Sequence, residues 1–320
     1  MKAIIVREYG DVGVLKLEET PMPEVGVSDI LVKIVAAGVN PVDTYIRQGN
    51  HVSAPPVPFT PGKDGAGIVE AVGEAVTKFA VGERVYLSGT ITGTYAEYCL
   101  CREDQVHILP PEASFEEGAA LFVPYATAFR ALFQKARVEK GETVLIHGAS
   151  GAVGIAATQW AKSAGLTVYG TAGTEVGLEL IKSVGVDFAF NHHTKGYLDE
   201  IRRKTADVGV DTILEMLANK NLVNDFSALA RFGKIVIIGS RGVLEFEPRL
   251  AITIDATLLG MSLFNSSAED FEQIFIQIEH GIISGVVKPV IGARLPLSEA
   301  AEAHRKIIED NAHGKIVLNV

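Results

Sequence analysis

The chain has 320 residues, of which 48% are hydrophobic, with 32 glycines and a formal net charge of −10. That length supports two domains with sizeable cores, and the apolar content excludes a disordered chain. The acidic balance argues against nucleic acid or an anionic membrane as partner.

The start, Met1 to Arg7, turns charged before a signal-peptide core can form, and no apolar run is long enough to span a bilayer. Up to about Pro111 the pattern is one of short strands, at residues 3–6, 15–17, 31–36, 67–72, 84–87 and 95–100, closely punctuated by Gly and Pro. This rhythm predicts a small β-barrel-like domain with irregular loops. Cys99 and Cys101 are the only cysteines. Two apart on a strand they share a face but sit too close for an ordinary disulfide, which points to a reducing cytoplasm. Ser114 and Glu117 form a capping box that opens an amphipathic helical pattern running to Gln134.

From Glu142 strands and helices alternate. Strands are predicted at 143–146, 167–169, 188–190, 210–215 and 234–238, with helices at 155–164, 176–184, 197–204 and 222–230 between them. The alternation predicts a doubly wound parallel sheet with helices on both faces. After residues 256–264 come helices at 271–280 and 299–309 and a last strand at 316–320. That final stretch is expected to return to the first domain, so the nucleotide domain, 121–264, would be inserted between 1–120 and 265–320. Ligands would then bind in the cleft between the domains.

The run TVLIHGASGAVG at 143–154 carries the chemistry. Gly148 turns the chain, Gly151 lets backbone approach a pyrophosphate, and Gly154 lets the helix pack close to the sheet. The N–H groups at the helix start would hold phosphates. A plain glycine-rich turn is the alternative reading. A P-loop is excluded because Ile155 follows Gly154, and a nucleophile elbow because Gly151 follows Ser150 directly. No acid stands at the end of the second strand before Glu175, which favours NADPH over NADH. Thr171, Thr174, His192 or Arg241 would have to contact its 2′-phosphate.

With these pieces placed, the chain resembles the medium-chain dehydrogenase/reductase superfamily, and within it the zeta-crystallin-like quinone oxidoreductases, over nearly its whole length. The resemblance rests on AGVNPVDTYIR at 37–47, TPGKDGAG at 60–67, GTYAEY at 93–98, HGASGAVG at 147–154, GTAGT at 170–174, EMLAN at 215–219 and GSR at 239–241. It implies an α/β fold, a GroES-like β-barrel catalytic domain plus a Rossmann domain with a doubly wound parallel sheet. It also implies NADPH-dependent quinone reduction by a homodimer or homotetramer. Carried over by position, Tyr45 would lie near the nicotinamide and Ser150, Gly151, Ala152 and Val153 at the pyrophosphate. Gly173, His192 and Asn221 would line the nucleotide, as would Ile238, Gly239, Ser240, Arg241, Met261, Ser262 and Leu263. The pair His192 and His193 is then a cofactor wall; a solvent-facing pair is the alternative.

Zinc members of the superfamily place a catalytic cysteine where this chain has Asn40 and a histidine where it has Lys63, and the third ligand position falls near Val123. No ligand cluster of the kind zinc needs is present, so no metal is expected. Hydride transfer to an already electrophilic acceptor needs mainly orientation and exclusion of water. Asn40 and the Tyr45 hydroxyl could donate to a quinone carbonyl as charge develops on it. Otherwise Asn40 is a turn residue and Tyr45 a packed helix-face aromatic. Related enoyl reductases carry a tyrosine proton donor where this chain has His51, which could deliver a proton near neutral pH or simply be a loop histidine. The alternative function is a reductase of α,β-unsaturated ketones or aldehydes. A crystallin-like or RNA-binding role is the third reading, and the absence of a basic stripe counts against RNA.

Overall fold

The computed structural model describes residues 1–308 and 313–320 and divides the chain into two compact units, Met1–Val123 with Pro289–Val320 and Pro124–Lys288. The first unit carries β1 (Lys2–Val6), β2 (Leu15–Glu19), β3 (Asp29–Val39), β4 (Asp64–Val72), β5 (Arg84–Ser88), β6 (Tyr98–Arg102) and β7 (Val106–Ile108). The second carries β8 (Thr143–Ile146), β9 (Thr167–Ala172), β10 (Phe188–Asn191), β11 (Val210–Glu215), β12 (Leu229–Ile237) and β13 (Thr257–Gly260). β14 (Ile291–Pro296) and β15 (Lys315–Asn319) complete the first unit.

In the first unit β1 and β2 form a hairpin-like pair, while the larger sheet runs β14-β15-β3-β4-β5-β7, with β6 also on β3. The last strand does return: β15 pairs antiparallel with β3, setting Ile316 against Val39 and Leu318 against Ala37. β3 is longer than its apolar pattern suggests because it is paired along its length, with β4, β6 and β15. Its Val32, Ala37 and Val39 are fully buried among Val6, Val85, Tyr95 and Leu318. The helix Pro41–Arg47 follows β3 directly, with Pro41 at its first position, where a missing N–H costs nothing.

The second unit is a six-stranded, wholly parallel sheet in the order β10-β9-β8-β11-β12-β13. Numbered from β8 this is the 3-2-1-4-5-6 order of a dinucleotide-binding fold, with its topological switch point between β8 and β11. Strand β8, strand β11 and the helix Tyr197–Lys204 fall where the pattern put them.

Several elements differ from the expected pattern. The capping box holds, Ser114 N donating to Glu117 Oε2 at 2.7 Å, but it starts only the single turn Phe115–Gly118. Helical structure resumes with wide turns at Phe122–Ala126 and Arg130–Ala136 around Thr127–Phe129. Pro124, which has no N–H to give, lies in the first of them. The helix expected at 222–230 is Ala218–Asp225, because Leu229 and Ala230 are drawn into β12 beside β11. The helix Ala268–Ser284 packs in the second unit, although the sequence boundary at 264 assigned it to the first. Its Asp270 takes an ion pair from the buried Arg130 at 2.8 Å, and Gly281 leaves room for Trp160. The last helix is Ala300–Lys306; Glu309 of the expected 299–309 lies outside the described residues.

Candidate cofactor and active site

The glycine turn joins β8 to the helix Ala152–Ser163. Gly148 has φ +60°, so the turn uses the left-handed region, and a Cβ at Gly154 would lie 2.4 Å from Gly148 O and 2.5 Å from Ala149 Cα. Gly154 is therefore glycine for lack of space. Gly151 is the N-cap and offers no capping side chain, which leaves the N–H groups of Ala152, Val153 and Gly154 for an anionic ligand. Thr171 is not free to bind a phosphate as expected: it is fully buried, and its Oγ1 and backbone O receive Gly148 N–H (3.2 Å) and Ala149 N–H (2.8 Å). Thr174 caps the helix Glu175–Val184 by accepting from Gly177 N at 3.0 Å. The fold does bring Gly173 to the histidine pair, since a Cβ there would lie 2.8 Å from His192 Nε2 and 3.0 Å from His193 Nε2. The two rings meet edge-on with centroids 4.5 Å apart.

Across the switch point, Glu215 ends β11 and is fully buried. Its backbone O receives Ile238 N at 2.9 Å and Gly239 N at 3.3 Å, and its Oε1 receives Leu217 N and, at 3.2 Å, Asn221 Nδ2. Gly239 has no room for a side chain, as its Cβ would meet Met216 O at 2.4 Å. Arg241 N donates to Asn219 Oδ1 at 2.9 Å, and Ser240 is exposed. Met261 N donates to Ile237 O at 3.0 Å, which puts Met261, Ser262 and Leu263 just past the end of β13; Met261 and Leu263 are buried and Ser262 exposed. The expected cofactor residues of the second unit lie in or after the carboxyl ends of β8, β9, β10, β11, β12 and β13, while Tyr45 is in the first unit.

The sequence reading missed a buried triad here. His147 Nε2 lies 2.9 Å from Asp225 Oδ1 and 3.7 Å from Glu215 Oε2, all three essentially without exposure. Burial pushes the Glu215 carboxyl up to about 7 despite the nearby imidazole. Burial also opposes charge on His147, but the two carboxylates outweigh it and its pKa is raised. Among the described residues this is the one His/Cys/Asp/Glu group compact enough for a metal. Yet 2.9 Å is a hydrogen bond, shorter than the about 3.3 Å between two ligands of a tetrahedral zinc with bonds near 2.0–2.1 Å.

In the first unit Asn40 is part of a buried polar network. It is 2% exposed, its Oδ1 accepts from Lys315 Nζ at 2.6 Å, and its Nδ2 donates to Asp64 Oδ2 at 3.0 Å. Lys315 Nζ also reaches Asp64 Oδ2 at 2.5 Å, and Val123 N donates to Asp64 Oδ1 at 3.0 Å. Asn40 is the N-cap of Pro41–Arg47, so the network fixes the helix that carries Tyr45. Asp43, in the same helix, accepts from Asn40 N at 2.8 Å, and burial pushes its pKa up to about 7. Tyr95 joins Asp43 (3.4 Å) to His304 (3.2 Å), whose other ring nitrogen meets Arg47 at 3.3 Å. None of Asp64, Asp43, Tyr95, His304 or Lys315 was singled out by pattern; their one signal is polar residues within otherwise apolar runs.

Tyr45 is half-buried, and its hydroxyl makes no hydrogen bond among the described residues. His51 Nδ1 accepts from Ser53 N at 3.2 Å and lies 2.7 Å from Ser53 Oγ. Burial first, and Lys63 second, lower its pKa, so less imidazolium is present at neutral pH than the reference value implies. A cleft of ≈ 610 Å³ lies within the first unit, walled by Arg7, Asp43, Ile46, Phe59, Lys63 and Thr92 among others. Asn40, Tyr45 and His51 are not in its lining.

A sheet with this strand order, a glycine turn at its switch point and a separate β unit define a two-unit protein with a dinucleotide-binding fold. Two family models agree: residues 26–111 match the alcohol dehydrogenase GroES-like domain and residues 152–279 the zinc-binding dehydrogenase model. The chain is 46% identical to the quinone oxidoreductase of Rattus norvegicus over 99% of its own length and 97% of that protein's. Its fold is similar to a mycobacterial protein solved with NADPH (30% identity, TM-score 0.92, all of both chains) and to Escherichia coli quinone oxidoreductase solved with NADPH (26% identity, TM-score 0.91, all of both chains). The chain belongs to the quinone oxidoreductase family of the medium-chain dehydrogenase/reductase superfamily.

Proposed function

We propose that the protein is an NADPH-dependent quinone reductase. The observation that carries the cofactor is the glycine turn, where an uncapped twelve-residue helix and a Gly154 without room for a Cβ open onto the switch point of a 3-2-1-4-5-6 sheet. NADPH supplies hydride when bound there, and the balanced reaction takes one quinone, one NADPH and one proton to one hydroquinone and one NADP⁺. The family and the NADPH-bound neighbours support the same reading.

The chain's own part is to bind, orient and exclude water. Ser150, Gly151, Ala152 and Val153 would hold the pyrophosphate, while Gly173, His192, Asn221, residues 238–241 and residues 261–263 would line the nucleotide. Tyr45 would donate its unpartnered hydroxyl to the acceptor carbonyl as negative charge builds there. Asn40 acts through the helix that presents Tyr45. Zinc does not fit: the groups at the corresponding positions are Asn40, Lys63 and Val123, and the Lys315 ammonium already sits on Asn40 and Asp64. A divalent cation there would meet that charge, and no step is routed through a metal.

We further propose a homodimer or homotetramer in a reducing cytoplasm, in keeping with Cys99 and Cys101, both buried and unpaired with Sγ atoms 3.8 Å apart. Among the described residues no helix is long and apolar enough to cross a membrane. The test follows nicotinamide oxidation with NADPH and with NADH, against an ortho-quinone and against an α,β-unsaturated ketone. Quinone turnover preferring NADPH is expected; turnover of the enone alone would move the function to alkene reduction. Tyr45→Phe should lower kcat by about tenfold or more. If both turnover and cofactor affinity stay at the wild-type level, Tyr45 has no role.

A further inference from the structure

We infer that Glu215 is a positioning residue for the cofactor, tying the root of the glycine turn to the two loops that line the nucleotide. The inference rests on the NADPH reading above and goes past it to a residue that contacts no ligand in that reading. Glu215 stands at the switch point with no exposed surface; it takes donors from two loops, one through its backbone and one through its side chain, and its second carboxylate oxygen faces His147. Its backbone O takes Ile238 N–H and Gly239 N–H, fixing the path of 238–241. Its Oε1 takes Leu217 N–H and the Asn221 amide, fixing the path of 217–221. Its Oε2 faces His147 at 3.7 Å, the residue just before Gly148.

The local backbone shows why a carboxylate is placed here. Leu217 is the N-cap of the helix Ala218–Asp225, has no capping oxygen of its own and sits at φ −146°, ψ 61°. Glu215, two residues earlier, instead holds the start of the helix by accepting the N–H of Leu217 itself. The third corner is anchored independently: His147 N donates to Leu214 O at 3.1 Å, and His147 Nε2 is 2.9 Å from Asp225 Oδ1 at the end of the same helix. Ala218 N donates to Gly239 O at 2.9 Å, which ties the two loops to each other. Glu215 Oε2 and Asp225 Oδ2 are buried with no hydrogen-bond donor. Unsatisfied buried carboxylate oxygens are costly, and core packing alone would be better served by an apolar side chain. Holding the two loops in register with the glycine turn accounts for the arrangement.

The experiment measures NADPH affinity by nucleotide fluorescence, and KM for NADPH with kcat against an ortho-quinone, for wild type, Glu215→Ala and Glu215→Gln. Glu215→Ala should weaken NADPH binding by about tenfold or more, the scale of hydrogen bonds to a charged group. The loss should fall on KM, with kcat at saturating cofactor changed far less. Glu215→Gln, whose amide oxygen can still accept from Leu217 and Asn221 while its NH₂ faces the Asp225 oxygen, should recover most of the affinity. A folded Glu215→Ala that binds NADPH within twofold of wild type overturns the inference, as does a loss confined to kcat or a Gln variant as weak as Ala. Should Glu215→Ala not fold, Glu215→Asp withdraws the carboxylate by about 1.5 Å, one carbon–carbon bond, while keeping its charge. The same loss is expected of it, and wild-type affinity there is equally fatal. Wild-type protein that binds no NADPH would instead sink the cofactor reading itself.

Discussion

Replacing Lys315 by Met probes the charge network of the first unit. Lys315 is 1% and Asp64 0% exposed, with Nζ 2.5 Å from Asp64 Oδ2 and 2.6 Å from Asn40 Oδ1. Methionine nearly matches the volume, so the loss is of charge rather than packing. Removing one member of a buried pair costs about 3–5 kcal/mol, because the other charge is left behind. Asp64 keeps the Asn40 amide and Val123 N–H, each at 3.0 Å, which places the cost near the low end, about 3 kcal/mol. For a unit of this size that corresponds to a Tm lower by about 6–12 °C. Trp160, the one tryptophan, lies in the second unit and does not report on this one. Opening of the first unit is better followed by hydrogen exchange of β3 and β15 amides against denaturant, where the opening free energy should fall by about 3 kcal/mol. Lys315→Met with Asp64→Asn removes both charges of the pair and should recover more than half of the loss. A single-variant cost under about 1 kcal/mol, or a double variant whose costs simply add, would refute the account of a compensated buried pair.

Three other perturbations follow from the same geometry. Asp43 has a folded pKa of about 7, above its unfolded value, so the native state holds the extra proton and stability falls as pH rises toward and through 7. Asp43→Asn lacks this dependence and should gain on wild type between pH 5 and pH 8 in urea unfolding; parallel profiles would contradict the burial argument. Gly154→Ala should destabilise the second unit by about 1–3 kcal/mol and abolish NADPH binding, since its Cβ meets only backbone. Gly148→Ala, whose nearest neighbour is Met216 Cγ at 3.9 Å, bears only the left-handed strain of about 1–2 kcal/mol and should still bind; equal loss in both, read by calorimetry and nucleotide fluorescence, would show that space is not what sets Gly154. His51→Gln should leave the quinone pH–rate profile above pH 7 unchanged, because the lowered pKa already leaves His51 neutral there, and a lost basic limb would restore it as a proton donor.

What the sequence determined by itself is local. The strand–turn–helix at 143–154 is set by short-range sterics: one glycine must take a positive φ, another must leave space, and strand and helix follow at fixed spacing. The alternation from Glu142 onward fixed the parallel sheet, since parallel neighbours need a crossover each time. The motifs also carried the family. The tertiary structure alone decided how the polar residues are spent. Thr171, read as a phosphate contact, is consumed in holding Gly148, and Asn40, read as a catalytic donor, is held by Lys315, 275 residues away. No periodicity links a helix N-cap near one end of the chain to the start of the last strand. The pairing of β15 with β3 creates that meeting and removes the water that would otherwise screen it. Glu215, His147 and Asp225 are likewise ordinary residues in sequence, and become one buried group only when β8 and β11 lie side by side.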